Sequence, residues 1–237
     1  MIMESIFKRK PKEKKVRTVS VFREYFELIA ETLIYVFFVM TFLMQSFVIP
    51  SGSMEDTLLV GDHLFVNKVS YSRSLSKLDR IFLPQEKIRR GMVVTFKAPP
   101  DMDKEFVKRV VGLPGETIRI VNKKVFINGK ALDEPYTYFK DPNIEESYRD
   151  NYPDYRVPDG FYFCMGDNRD NSYDCRYWGP VPADYIIGKP WRIYWSYDST
   201  SAEYLTPGVA HKIKDLFDTV INFFSKTRWT RTIRKIA

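Results

Sequence analysis

The chain has 237 residues, with 37 Lys and Arg against 30 Asp and Glu, two cysteines, two histidines and 44% apolar residues. That is enough apolar material for one good core, and it excludes a disordered chain and a disulfide scaffold. A zinc module is excluded as well, because Cys164, Cys175, His63 and His211 show neither CxxC nor HExxH spacing.

The charge is unevenly placed. Residues 1–23 carry eight basic and two acidic side chains, residues 211–237 seven and two, and the middle twenty-two and twenty-six, together the net +7. A nucleic-acid binder concentrates positive charge on its folded domain, whereas this body is slightly acidic, so no nucleic-acid partner is expected. Basic ends around an acidic body point instead to a bilayer containing anionic lipid.

From the N-terminus, residues 1–27 read as a basic cytoplasmic segment and 28–49 as a transmembrane helix. No charged residue stands between Thr32 and Met54. As a helix, Thr32 to Ile49 would span about 27 Å, close to the ~30 Å of bilayer hydrocarbon. A buried core helix normally keeps a polar stripe, which this run lacks. A cleaved signal peptide is disfavoured by the length of the run and by its end at Phe47-Val48-Ile49-Pro50, which is not a small-x-small site. Lys8, Arg9, Lys10, Lys12, Lys14, Lys15, Arg17 and Arg23 place the N-terminus in the cytoplasm and residue 50 onward on the periplasmic side.

Beyond Pro50 the chain breaks into short apolar runs separated by turn residues, which predicts a mainly β body over 50–210. Strands are expected at Leu64-Lys68, Met92-Phe96, Phe106-Val111, Thr117-Val121, Lys124-Ile127, Phe161-Met165 and Trp191-Trp195, with a hairpin turn at Asn128-Gly129. Residues 134–160, rich in Tyr, Asp and Pro, read as an inserted surface excursion. The last segment, 211–237, is predicted to be a basic amphipathic helix, with Ile213, Leu216, Phe217, Val220, Ile221 and Phe224 at helical spacing. It has too short an apolar run to span a bilayer, which leaves an interfacial helix or one docked on the body.

Three segments of the body hold candidate chemistry. Pro50-Ser51-Gly52-Ser53-Met54 sets a serine among small residues that allow close backbone approach and free N–H groups, although a plain linker has the same composition. Phe106-Val107-Lys108-Arg109-Val110-Val111 places Lys108 between Phe106 and Val110 on one strand face. Desolvation there would lower the lysine toward the pH range of a general base, whereas a solvent-facing lysine with Arg109 inward fits the periodicity equally well. Gly166-Asp167-Asn168-Arg169-Asp170-Asn171-Ser172-Tyr173-Asp174-Cys175-Arg176 is dense in short hydrogen-bonding side chains that hold a loop in shape, and Asp174 and Arg176 are spaced to pair. A calcium loop would need a Glu at its twelfth position, which is missing.

These three segments, in this order and behind an apolar anchor, resemble the bacterial type I signal peptidases, membrane-anchored Ser-Lys serine proteases. The resemblance runs from about Gln45 to Gly188. It implies an antiparallel β-sheet catalytic domain of that type with one N-terminal transmembrane helix, Ser53 as nucleophile, Lys108 as general base, Ser51 as side-chain donor to the oxyanion and Ser172 as the hydroxyl that orients Lys108. Asp167, Asn168, Arg169, Asp174 and Arg176 would support the site. Phe47, Val48, Ile49, Pro50 and Met54 on one side and Glu105, Phe106 and Val107 on the other would hold the substrate. By the same resemblance the substrates are exported preproteins, cut after small residues at −1 and −3, with no cofactor or metal; a monomer is expected.

The chain departs from the family pattern at Asp56, where Pro is usual, at Met92, where Asp is usual, and at Cys175, where Ser is common. Cys164 and Cys175 are expected as free thiols, with a bridge between them left open. Two rival readings keep the sequence without this chemistry: a Ser-His-Asp triad through His63, and a membrane-anchored β domain that binds envelope proteins without catalysis.

Overall fold

A computed structural model of the chain describes residues 20–69, 71, 86–206 and 208–236. The basic side chains from Lys8 to Arg17 lie outside the described residues. The chain divides into two units, one ending at Val39 and one beginning at Met40.

The first unit contains helix α1 (Val21–Phe38), started by Ser20, whose hydroxyl accepts from the Arg23 N–H at 3.3 Å. Arg23 and Glu27 pair one turn apart, and no side chain of the helix is buried. The expected continuous helix over 28–49 does not form. Val39–Leu43 makes a wider π-type turn, and Met44–Val48 becomes strand β1. The reason is tertiary: β1 pairs antiparallel with strand β2 (Asp62–Asn67), from Met44 opposite Asn67 to Val48 opposite His63, and the Ser46 hydroxyl bonds that of Tyr194 at 2.8 Å. Among the described residues no helix is long and apolar enough to cross a membrane; α1 carries Arg23, Glu24, Glu27 and Glu31.

The second unit is mainly antiparallel β-sheet, as its punctuated sequence predicts. Its further strands are β3 (Val93–Ala98), β4 (Asp101–Gly112), β5 (Thr117–Val121), β6 (Lys124–Ile127), β7 (Lys130–Ala131), β8 (Tyr152–Arg156), β9 (Phe161–Met165), β10 (Val181–Pro182) and β11 (Ile186–Ser196). One sheet has the order β1-β2-β11-β3-β4-β9-β10, the other β7-β6-β5-β8. Asn128 and Gly129 both adopt positive φ, 50° and 78°, so the β6–β7 hairpin closes with the primed turn that Asn-Gly favours. Val94, Phe96, Val110, Ile118, Val125 and Phe163 contribute to the main core, while Ile49, Met54, Leu58, Leu64, Val93, Ile193 and Ile236 form a second cluster beneath the Ser53 segment.

Residues 134–160 lie largely at the surface, as their composition leads one to expect, yet they are tied into the fold. They supply β8, which pairs with β5, and they bury Asp150 and Val157 completely. Asp150 accepts from Arg149, and Glu134 pairs with the buried Arg169. The few polar groups of this segment that are buried find their partners there or in the neighbouring Arg169.

The C-terminal segment also differs from the single basic helix expected. Helix α4 (Val209–Ile221) and the short α5 (Phe223–Lys226) are followed by an irregular strap that bridges β11 at Lys235 opposite Arg192. Two of its arginines turn inward, while Arg234 and Lys235 stay exposed. Arg231 grips the fully buried Asp62 through Nη2 at 2.6 Å and donates to the Thr57 carbonyl, Arg228 donates to the Val60 carbonyl, and Ile236 is buried. Replacing Arg231 by Met leaves a buried carboxylate without its cation, and such breaks cost about 3–5 kcal/mol. Chemical denaturation of R231M is expected to show a loss of that order, and a loss below 1 kcal/mol would mean that the pair contributes little.

Candidate active site

The Ser53 segment is a tight turn, Gly52–Met54, between β1 and β2, with Met54 buried so that Ser53 is held at the surface of the second core. Asp56, in the position where the resemblance leads one to expect Pro, has φ of 77°. A proline ring cannot adopt that angle, whereas Asp tolerates it. Strand β4 passes between β3 and β9, and its second half, from Lys108 to Gly112, is buried. The two readings of its Lys-Arg pair therefore merge: Lys108 is 4% exposed and Arg109 5%, on opposite faces.

On one face, Lys108 Nζ lies 2.5 Å from Ser53 Oγ, in a hydrogen bond. Phe106 flanks it, with the ammonium 5.7 Å from the ring centre. Burial lowers the Lys108 pKa to about 8, against an opposing pull from the Asp174 carboxylate. On the other face, Arg109 makes a two-pronged bond to Asp167 at 2.8 and 2.7 Å, and Asp167 also accepts from the Thr57 hydroxyl at 2.6 Å. Arg109 stacks on Tyr136 at 4.0 Å.

The third segment binds this arrangement together. Asn168 donates through its backbone N–H to the Ser53 carbonyl and through its side chain to the Gly52 carbonyl, so the serine turn is clamped from outside. Asp174 caps helix α2 (Cys175–Trp178), accepts from the Gly166 N–H at 3.0 Å and pairs with Arg176. Burial alone would raise the Asp174 carboxyl, but Arg176 and these hydrogen bonds hold it below its usual value. Arg176 reaches the Arg169 and Arg149 carbonyls, and Arg169 pairs with Glu134.

One expected contact is not made, and the cysteines are the free thiols that the sequence reading expects. The Ser172 hydroxyl is buried with no hydrogen-bond partner among the described residues, so the orienting bond to Lys108 is absent here. Cys164 and Cys175 are free and buried, with the Cys164 N–H donating to the Cys175 sulfur at 3.0 Å; burial pushes the Cys175 thiol well up, which makes it unreactive. His63 stacks on Trp195 at 4.7 Å, and the partner of the Ser53 hydroxyl is Lys108, so the triad reading loses its histidine.

Beside Ser53 runs a cavity of about 480 Å³. Phe47, Val48, Ile49, Pro50, Ser51, Met54, Glu105, Phe106 and Val107 all line it, with Lys104, Asn171, Tyr173 and Leu205, which sequence reasoning missed. Strand β1 is a sheet edge, and β4 meets β9 only from Arg109 onward, so each wall offers a strand edge. Ser51 is extended and exposed at the cavity. Arg109, Thr57 and Glu134 were also overlooked as supports. Only the density of buried charge around Asp167 and Arg169 could have pointed to them.

Comparison with known proteins identifies the family. The family described as signal peptidase, peptidase S26, matches residues 22–195. The chain is 36% identical to the signal peptidase I of Pseudomonas fluorescens, over 77% of this chain and 75% of that one. It is 34% identical to a probable signal peptidase I-2 of Synechocystis, over 81% and 82%. A solved signal peptidase I from Enterococcus faecalis overlaps 44% of this chain and 97% of its own at 30% identity, with a TM-score of 0.36. The chain belongs to the type I signal peptidases of peptidase family S26, and it is a serine peptidase. The reading of a β domain without catalysis is thereby set aside.

Proposed function

We propose that the chain is a membrane-bound endopeptidase that removes signal peptides from exported preproteins with Ser53 as nucleophile and Lys108 as base. The observation that carries this reading is the 2.5 Å approach of a buried, depressed lysine to a serine at the floor of a groove with two strand edges. Neutral Lys108 takes the Ser53 proton as the oxygen attacks the scissile carbonyl, and the Ser51 hydroxyl and Ser53 N–H receive the oxyanion. Collapse passes the proton from Lys108 to the leaving amine. Water, deprotonated by Lys108, then releases the acyl group and restores the serine.

An extended preprotein adds its main chain to the strand edges, and alternate side chains at −1 and −3 point to the same wall, where a small-x-small site fits. Attachment to the bilayer through the N-terminal apolar segment is supported by the unburied Leu33, Ile34, Val36, Phe37 and Phe38 and by the basic residues before them. Tethering would keep enzyme and signal peptide on one surface, with the body outside the inner membrane.

The test is cleavage of a preprotein bearing an Ala-x-Ala site by the detergent-solubilised parent and its Ser53→Ala variant. Cutting after that site by the parent alone is expected, and equal cutting by both would overturn the assignment. The pH profile supplies a second check. Only the neutral amine is a base, so kcat/KM is expected to climb about tenfold per unit below pH 8 and level above it. A flat profile from pH 6 to 8 would exclude Lys108 as the titrating group.

A further inference from the structure

Helix α4 is amphipathic in the reverse sense of a helix on a soluble domain. Its polar side faces the body: His211, Asp215, Asp218 and Asn222 are half-buried, and Asp218 accepts from the Tyr197 hydroxyl at 3.1 Å, from Asn222 and from Lys226. Its apolar side, Ile213, Leu216, Phe217, Val220 and Ile221 in one stripe that Phe224 of α5 continues, is 50–79% exposed. Water-facing helices ordinarily bury such a stripe, and a contiguous exposed apolar face marks a binding surface.

The charges around the stripe select its partner. At about 100° per residue Lys212 and Lys214 fall on its two borders, both exposed, while the helix acids Asp215 and Asp218 are turned inward. Trp229, exposed, stacks on Phe224 at 6.2 Å and adds a ring suited to the headgroup region. A second copy of the stripe would bring like-charged lysine borders together, whereas an anionic lipid surface meets both the apolar centre and the basic rim.

We propose that α4 lies in the outer leaflet of an anionic bilayer and seats the catalytic groove against it. Leu205, the last residue of helix α3 (Ser201–Leu205), lines that groove a few residues before α4 begins. Docking the helix thus fixes one groove wall at the membrane surface, where the scissile end of an embedded signal peptide emerges. This proposal rests on the signal-peptide reading for its purpose, but the docking itself is measured separately.

The full chain is reconstituted in phosphatidylcholine vesicles with phosphatidylglycerol, and nitroxide labels are attached at Phe217→Cys, Val220→Cys and, as a water-exposed reference, Glu146→Cys; unsubstituted chain is the blank for the buried native thiols. Labels at 217 and 220 are expected to be open to oxygen and shielded from a water-soluble nickel complex, with the label at 146 the reverse. Nickel access at 217 and 220 equal to that at 146, or spin–spin broadening from a second copy, would overturn the proposal. In the same vesicles, F217E/V220E is expected to cut a membrane-embedded preprotein about tenfold more slowly while cleaving a short soluble peptide within twofold of the parent. Equal loss on both substrates would overturn the seating role, and a parent inactive on both would instead refute the signal-peptide reading while leaving the label result to stand.

Discussion

Lys108→Met is expected to cut preprotein cleavage by about 10²–10⁴-fold, while leaving a folded and more stable protein. Both outcomes follow from one physical fact. Lys108 sits 4% exposed beside Phe106, where its charged form lacks hydration, and its pKa falls from 10.5 to about 8. The folded protein therefore binds this proton less tightly than the unfolded chain. At pH 7, below both values, each state is protonated and the folded state carries the full penalty, roughly 3 kcal/mol for a shift of this size. As pH rises from about 8 to 10.5, the unfolded chain holds the proton that the folded one has lost, and that penalty disappears.

Methionine fills a similar volume with no charge to desolvate. K108M is expected to unfold at higher denaturant than the parent at pH 7, with a gain of up to about 3 kcal/mol, less the lost bond to Ser53. The advantage should shrink as pH approaches 10. Removing a positioned general base costs about 10²–10⁴ in rate, and here no histidine stands in for it. A K108M protein that is less stable than the parent at pH 7 would show that the lysine is not desolvated, and one that retains a tenth of the activity would show that it is not the base.

How far the sequence revealed this arrangement depends on whether a feature is local. Strands β5, β6 and β9 coincide with the runs read from alternation, and the primed turn at Asn128-Gly129 needs only its own two residues. Phe47–Pro50 and Glu105–Val107 each line the cavity beside Ser53 as one continuous stretch, which a sequence can display. What escaped was non-local. The run from Thr32 to Ile49 is apolar enough for one helix, but pairing of Met44–Val48 with β2 claims its last third for the sheet. Glu134 looked like loop surface because its partner Arg169 is 35 residues away, and the buried role of Arg231 escaped because its partner Asp62 is 169 residues away. Composition registers a charge but not the buried carboxylate that neutralises it.

The second large effect concerns a residue with no side chain. Gly166 follows β9 and passes so close to the serine turn that a Cβ built on it would lie 2.4 Å from the Ser53 carbonyl oxygen and 2.3 Å from Ser172 Oγ. Both are well inside van der Waals contact, and one of the two is backbone. Gly166→Ala must therefore push the Ser53 turn away from β4, lengthening the 2.5 Å approach to Lys108, or displace the loop that Asp174 holds through the Gly166 N–H. Overpacking of this kind costs about 1–3 kcal/mol of stability, which a folded domain survives. Catalysis is less tolerant, since a displacement near 1 Å at the reacting atoms costs about 10²-fold. G166A is expected to remain folded, to lose kcat by at least that factor and to keep KM within a few fold, because the groove walls are untouched. The double variant G166A/S172G separates the two contacts. It removes the Ser172 clash but leaves the one with the Ser53 carbonyl, so the rate should stay low; recovery to near the parent rate would show that the strain runs through Ser172 and that the serine turn can give way without cost.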